Sequence, residues 1–333
     1  IGLGIPAEPL FRSTFVNKLT KDWLVVAPVL YSYGANAPYV NGGNVKNQGL
    51  EFGLHWNDSV GEVFYGVNLT GAHNKNKVTK IANADGIIHG TGSIPWEGAE
   101  ELYRAEVGMP IGYFYGYKTA GVFQNQAEID AYKGALLNGE NTNPGDVIYV
   151  DSNNDGVIDA NDRTMIGNPH PDFTLGLSFN IEWKGIDLSI SGFGSFGQQI
   201  FKCYRDFSSS PLNNYTTDIL KRWTGEGSSN KYPRLASSSN SNWNRISSLY
   251  VEDGDYFKVQ NITLGYDIAK AFKKFPLKTC RVYVTGQNLF TFTSYSGMDP
   301  EIGYGGGSGW AQGIDLGYYP SARTILFGVN LKF

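Results

Sequence analysis

Between Asp151 and Asp162 the sequence reads DSNNDGVIDAND, with oxygen-bearing side chains at alternate positions. Asp151, Asn153 and Asp155 come first and Gly156 follows. Val157 can offer only its carbonyl, Asp159 comes next, and Asp162 closes the run. This is the spacing of the calcium loop of EF-hands: alternate ligands, a glycine for the sharp turn and a terminal carboxylate. About six oxygens suit a hard cation such as calcium. Two features depart from that pattern. Asp162 stands where a glutamate is usual, and the preceding GDVIYV is β-branched rather than helical. A paired-helix sensor is therefore not expected. A metal-free Asn/Asp turn is the alternative. The expectation is a structural calcium, a staple rather than a switch, held by Asp151, Asn153, Asp155, Val157, Asp159 and Asp162.

Nothing else in the chain has the spacing of a reactive centre. His55, His73, His89 and His170 form no metal pattern, and no Ser–His–Asp set or carboxylate pair stands out. The chain is not expected to be an enzyme. Aromatic residues in the long connections, namely Trp96, Tyr113, Phe114, Tyr115, Trp243, Tyr304 and Trp310, could stack on sugar rings or pack the connections together. Trp96, Tyr113, Tyr115, Trp243 and Trp310 are the substrate-binding candidates. NQAEIDAYKG, residues 125–134, reads as a short scaffolding helix.

These residues must be positioned by strands. FTLGLSFNIEWK sets Phe173, Leu175, Leu177, Phe179, Ile181 and Trp183 against Thr174, Gly176, Ser178, Asn180, Glu182 and Lys184. LEFGLHWN, EVFYGVNLT, GIDLSISG and RTILFGVNLKF alternate in the same way, the period of a strand with two unlike faces. FKVQNITLGYDI slips phase near Gln260 and Asn261, which predicts a bulge. About eight strands are expected, near 10–24, 47–57, 60–74, 173–183, 186–200, 255–269, 279–293 and 322–333. Each is about ten residues or longer, with one aliphatic and aromatic face and one small or polar face, as transmembrane β-strands require. A soluble sandwich also alternates.

Connection lengths separate the two. Short turns alternate with long loops, near 75–172, 201–254 and 294–321. Outer-membrane barrels show this pattern, whereas compact soluble domains seldom carry structureless loops beyond about 15 residues. The calcium-type loop falls within the longest loop. Much of that loop shows no hydrophobic core of its own, so an ion could hold it in shape. Trp56 and Trp183, near strand ends, fit an interfacial girdle. Cys203 and Cys280 fall at opposite ends of the strands, separated by an apolar band about 25 Å tall, and are expected unpaired.

Composition agrees. Charged residues are 17%, aromatics 14%, glycines number 42, and the formal charge is −4. Mean hydropathy is −0.27 and the pI about 5.6, so a nucleic-acid partner is not expected. No apolar run is long enough for a membrane helix. The start has neither an initiator Met nor a basic n-region, so a longer polypeptide is expected around this segment.

NGGNVKNQGLEFGLHW, NPGDVIYVDSNNDGVIDANDRTMIGNPHPDFTLGLSF, RWTGEGSSNKYPRL, GDYFKVQNITLGYDI, VYVTGQNLFTFTSYSGMDPE and RTILFGVNLKF, in this order, resemble the SusC/RagA family of TonB-dependent transporters. The resemblance covers nearly all the chain beyond about Asn17. It implies a large plugged barrel in the outer membrane, of the 22-stranded type. It further implies a plug and TonB-contact segment coupled to an inner-membrane TonB complex, a SusD-like surface lipoprotein as lid, and oligosaccharide or sometimes peptide cargo. Residues 1–333 resemble the C-terminal part of such a barrel, without plug or TonB-contact motif. The alternative function is a secreted, calcium-stabilised β domain that binds glycan.

Overall fold

The computed structural model describes residues 10–26, 39–83, 85–137, 139–204, 215–235, 242–272, 275–303 and 309–333. Eight strands form one sheet: β1 (Leu10–Val26), β2 (Tyr39–Val60), β3 (Val63–Ile81), β4 (Phe173–Trp183), β5 (Ile186–Phe196), β6 (Tyr256–Asp267), β7 (Thr279–Thr293) and β8 (Thr324–Lys332). They lie side by side in chain order, every neighbour antiparallel. This is the all-β up-and-down meander that the alternating segments imply. Among the described residues, β1 and β8 each have a single partner, so the sheet is open rather than closed.

Register shows why the strands alternate. Val60, Val63, Trp183, Ile186, Tyr266, Val282 and Val329 pair in one unbroken row from β2 to β8. On the other face His55, Asn68, Ser178, Ser191, Asn261, Gln287 and Thr324 do the same. Directly opposed residues share a face, so two-residue periodicity becomes an apolar surface and a polar surface. The bulge falls where the phase slip places it. Against β5 the pairing jumps from Val259 to Asn261 and leaves Gln260 as the extra residue; against β7, Gln260 faces both Asn288 and Leu289, so the extra residue there is on β7.

Connections sort by end. At one end lie the turn at Gly61 and Glu62, the turn at Lys184 and Gly185, and a segment with one helical turn, Ile268–Ala271. Lys184 and Gly185 both have positive φ, 48° and 86°, as a two-residue hairpin matched to strand twist demands. All long connections leave from the other end.

Three expectations need correction. First, β2 begins at Tyr39 rather than near 47, and β3 runs on to Ile81 rather than stopping near 74. The added stretch is mostly polar, as in NKNKVTK, and pairs through Lys46 with Lys77 and Asn47 with Asn76. Its few apolar residues, Val45, Val78 and Ile81, are buried with Ala105 of the first loop, so loops rather than lipid cover this part of the sheet. Second, β5 ends at Phe196, not near 200. Gly197 turns the chain at φ 82°, and Gln199–Lys202 forms a separate strand paired with Val251–Asp253 and Ile314–Asp315. Third, the long loops do have a hydrophobic core. Leu102 and Phe114 from the first, Phe201, Ile246 and Tyr250 from the second, and Ile314 from the third pack in one cluster. The loops build this core jointly, so it is invisible in any one of them.

The apolar face of the sheet is the reverse case. Phe15 is 65% exposed, Phe292 63%, Ile325 64% and Phe327 83%. The molecule buries its apolar side chains in the loops and presents them on the sheet. Such a face is stable against hydrocarbon, not water.

Candidate functional site

The polar face of the sheet is built for close, uncharged contact at mid-height. Asn68 Nδ2 donates to Ser178 Oγ at 3.2 Å and Asn261 Nδ2 to Ser191 Oγ at 3.3 Å; the hydroxyls of Thr263 and Thr285 lie 2.8 Å apart. His55 sits in the same row, bonded to Asn68 and Asn57. Charge returns near the short turns. Arg281 forks onto Asp187 at 2.8 and 2.6 Å, and Lys270 meets Glu182. Glycines let these side chains lie flat. A Cβ on Gly265 would stand 2.6 Å from the Arg281 guanidinium, and one on Gly328 would strike the Tyr283 ring. The wall stays thin because long side chains lie along it.

Beyond the wall, Asp151–Asp162 forms a compact turn. Asp151 accepts from the N–H groups of Asp155 (3.2 Å) and Gly156 (2.8 Å), Asn153 from Asp155 (2.9 Å), and Asp155 from Val157 (2.9 Å). Asn154 and Gly156 take positive φ, 60° and 87°. Asp159 caps a helical turn at Ala160–Asp162. Asp162 is fully buried and accepts from Ser152 and Asp159 N–H, both at 2.8 Å. The fit to a cation is partial. Among the described residues no three His, Cys, Asp or Glu side chains gather closely enough to hold a metal. Asn153 Nδ2 instead donates to Asp155 at 2.8 Å. Asn153 Oδ1 and the Val157 carbonyl would have to complete the shell.

The candidate aromatics divide. Trp96, Tyr113 and Trp243 are buried, 6%, 1% and 7% exposed. Trp96 and Trp243 belong to the loop core, and Trp243 stacks on Tyr232. Tyr113 donates to Glu106 at 2.6 Å; burial, then that carboxylate, push its hydroxyl far above the usual tyrosine range. These three rings pack the loops together. Tyr115 is half-buried, with the guanidinium carbons of Arg104 and Arg163 at 3.2 and 4.6 Å from its ring centre. Trp310, also half-buried, stands edge-on to Trp23 of β1 and to Tyr103. Phe114 lies in the core; Tyr304 lies outside the described residues. The helix expected in 125–134 is α1 (Gln126–Ala131), capped by Asn125. Cys280 is free, and Cys203 Sγ donates to the Pro95 carbonyl at 3.9 Å.

Sequence reasoning passed over two charged joints. Asp146, 1% exposed, receives Arg234 Nε at 2.7 Å and Asn242 Nδ2 at 2.8 Å. Lys258, 2% exposed on the polar face of β6, meets Asp299 and Glu301 of the third loop. Both lie within segments that carry the family resemblance, NPGD with YPRL and GDYFKV with GMDPE, but nothing in spacing links their halves.

No protein-family model matches the chain. Similar curated proteins are TonB-dependent receptors. One from Formosa agariphila is 32% identical over 94% of this chain and 31% of its own length. SusC of Bacteroides thetaiotaomicron is 27% identical over 88% of this chain and 27% of its own. Among solved structures, the RagAB peptide transporter superposes with a TM-score of 0.75 at 20% identity, covering 98% of this chain and 33% of that one. The chain spans about a third of the length of the curated relatives it matches.

Proposed function

We infer, from a sequence relationship to TonB-dependent receptors of the SusC/RagA type that runs nearly end to end, that this chain is the C-terminal part of an outer-membrane importer's barrel wall. The observation that carries the reading is the two-faced sheet itself. On β4, Phe173 and Trp183 bound the apolar face ten residues apart, about 33 Å along a strand. At the usual tilt of about 40° this gives a band about 25 Å tall, the height of a barrel's lipid-facing zone. Trp56 and Trp183 mark the lower girdle and Phe173 and Phe196 the upper edge. The polar face then lines the lumen, and the long loops form the extracellular vestibule.

The open edges of β1 and β8 support a segment of a larger barrel, because unpaired strand edges do not survive in hydrocarbon. The imported nutrient is an oligosaccharide, or a peptide, delivered with a SusD-like lipoprotein and drawn in through TonB. Tyr115 and Trp310, the half-exposed members of the aromatic set, are the cargo contacts of this reading. Calcium in Asp151–Asp162 belongs to it as a loop staple. A secreted glycan-binding domain would have to cover the exposed apolar face with another layer.

The test is deletion of the full-length gene in its host, with growth measured on oligosaccharides and on peptides as sole nutrient. Selective loss of growth on one class supports import; unchanged growth and uptake on both would reject it. A heat-modifiable band in outer-membrane extracts checks the barrel independently.

A further inference from the structure

The third loop, between β7 and β8, folds back over the polar face in two limbs that are held in opposite ways. The far limb is apolar. Ala311 and Ile314 lie in the loop core, Ile314 pairs in parallel with Phe201, and Trp310 reaches Trp23 on β1. The near limb, Ser296–Glu301, contributes nothing to that core, and Met298 is 51% exposed. Polar contacts hold it. Ser296 bonds Glu252 and Lys202, Met298 N–H donates to the Tyr204 hydroxyl at 2.8 Å, and Lys258 Nζ lies 3.1 Å from Asp299 and 2.6 Å from Glu301. Asp299 also accepts from Ser321 N–H at 3.1 Å, tying the limb to the approach of β8.

We propose that Ser296–Glu301 is a latch that closes over the lumenal face at Lys258 and lifts as a unit, baring Lys258 and Tyr256 to the pore. The asymmetry of attachment is the reason. Apolar contacts cost free energy when they separate in water, so the far limb stays. Ion pairs and hydrogen bonds separate into water with little net loss, since water replaces each partner. The latch therefore opens with little apolar surface exposed beyond the Tyr256 ring and Pro300, and a cationic side chain is uncovered when it does. Tyr256 is 5% exposed and Lys258 2% in the closed form, so opening changes the chemistry of the wall as well as its bore. The lumenal assignment of this face rests on the barrel reading above.

Hydrogen exchange read by mass spectrometry on the full-length receptor in membranes tests the latch. Peptides covering 296–303 should exchange about tenfold faster in Asp299→Asn/Glu301→Gln than in wild type, the scale of losing charge-assisted hydrogen bonds. Peptides covering 173–183 and 310–316 should not change. Equal acceleration of latch and strands, or none in either, would overturn the proposal. A second variant guards against misfolding. In Lys258→Met, which keeps the side chain's length and loses its charge, exchange at 296–303 should also rise while 310–316 stays unchanged; unchanged exchange at 296–303 would also overturn it. Rapid exchange through 173–183 in wild-type membranes would instead count against the barrel.

Discussion

Arg234 donates through Nε to Asp146 at 2.7 Å, joining two long loops whose sequences lie 88 residues apart. The joint is tight on its backbone side as well. Arg234 N–H donates to the Gly145 carbonyl at 2.8 Å, and the Trp223 ring lies where a Cβ on Gly145 would be. Gly145, at φ 89°, is there because both the turn and the indole require it.

Arg234→Ala should cost about 2–3 kcal/mol of loop stability, less than for a fully lost buried pair because Asn242 still bonds Asp146. Asp146→Ala should cost more, since it removes the acceptor of the buried Asn242 amide and of Asn143 N–H as well as that of Arg234. Protease cutting of the loops in intact cells measures both. Equal sensitivity of the two variants would contradict the account.

Arginine at Leu177 should destabilise the barrel by about 2–4 kcal/mol if that residue faces the bilayer midplane. Arginine at Ser178, one residue on and facing the lumen, should cost much less. The readout is the temperature at which the folded band converts on electrophoresis, and similar shifts for both would rule out the assignment of faces.

Calcium should protect residues 151–162 from proteolysis in wild type and lose that effect in Asp151→Ala. Asp162→Ala should loosen the loop with or without calcium, because that buried carboxylate also holds Ser152 and Asp159 N–H. A wild-type loop indifferent to chelator would mean that its own hydrogen bonds suffice.

His170 donates from Nε2 to the Ile111 carbonyl at 2.6 Å, and burial lowers its pKa below the ordinary 6.5. The folded loops then bind fewer protons than the unfolded ones. Their stability should fall as pH drops below about 6.5 and level off below the lowered pKa. His170→Gln should flatten that slope in loop proteolysis at pH 7 and pH 5.

The sheet was legible because its signal is local. Each strand repeats every two residues, and the slip at Gln260 showed as a break in that period. The upper ends of β2 and β3 were not legible, since NKNKVTK holds a single apolar residue, Val78, whose burial comes from the first loop and leaves no alternation to read. The loop core was hidden for another reason. Leu102, Phe201 and Ile314 sit in strands of four residues or fewer, or between them, too short for any period, and meet only in space. The aromatic candidates were chosen by type, and type cannot tell a ring that packs from one that waits for a ligand. Val157, 57% exposed, entered by position in a motif, which fixes its carbonyl but says nothing of its side chain.

The shared loop core also dictates an order of assembly. Its parts come from three connections that enclose most of the chain, so no one of them can collapse productively when it first emerges. The hairpins must align before the loop ends are brought near enough to close, because the entropy of closing such long intervals is otherwise unrewarded. The extracellular cap should therefore mature last and slowly, after the wall is inserted. Until then its apolar segments are exposed to whatever holds unfolded chains in solution on the way.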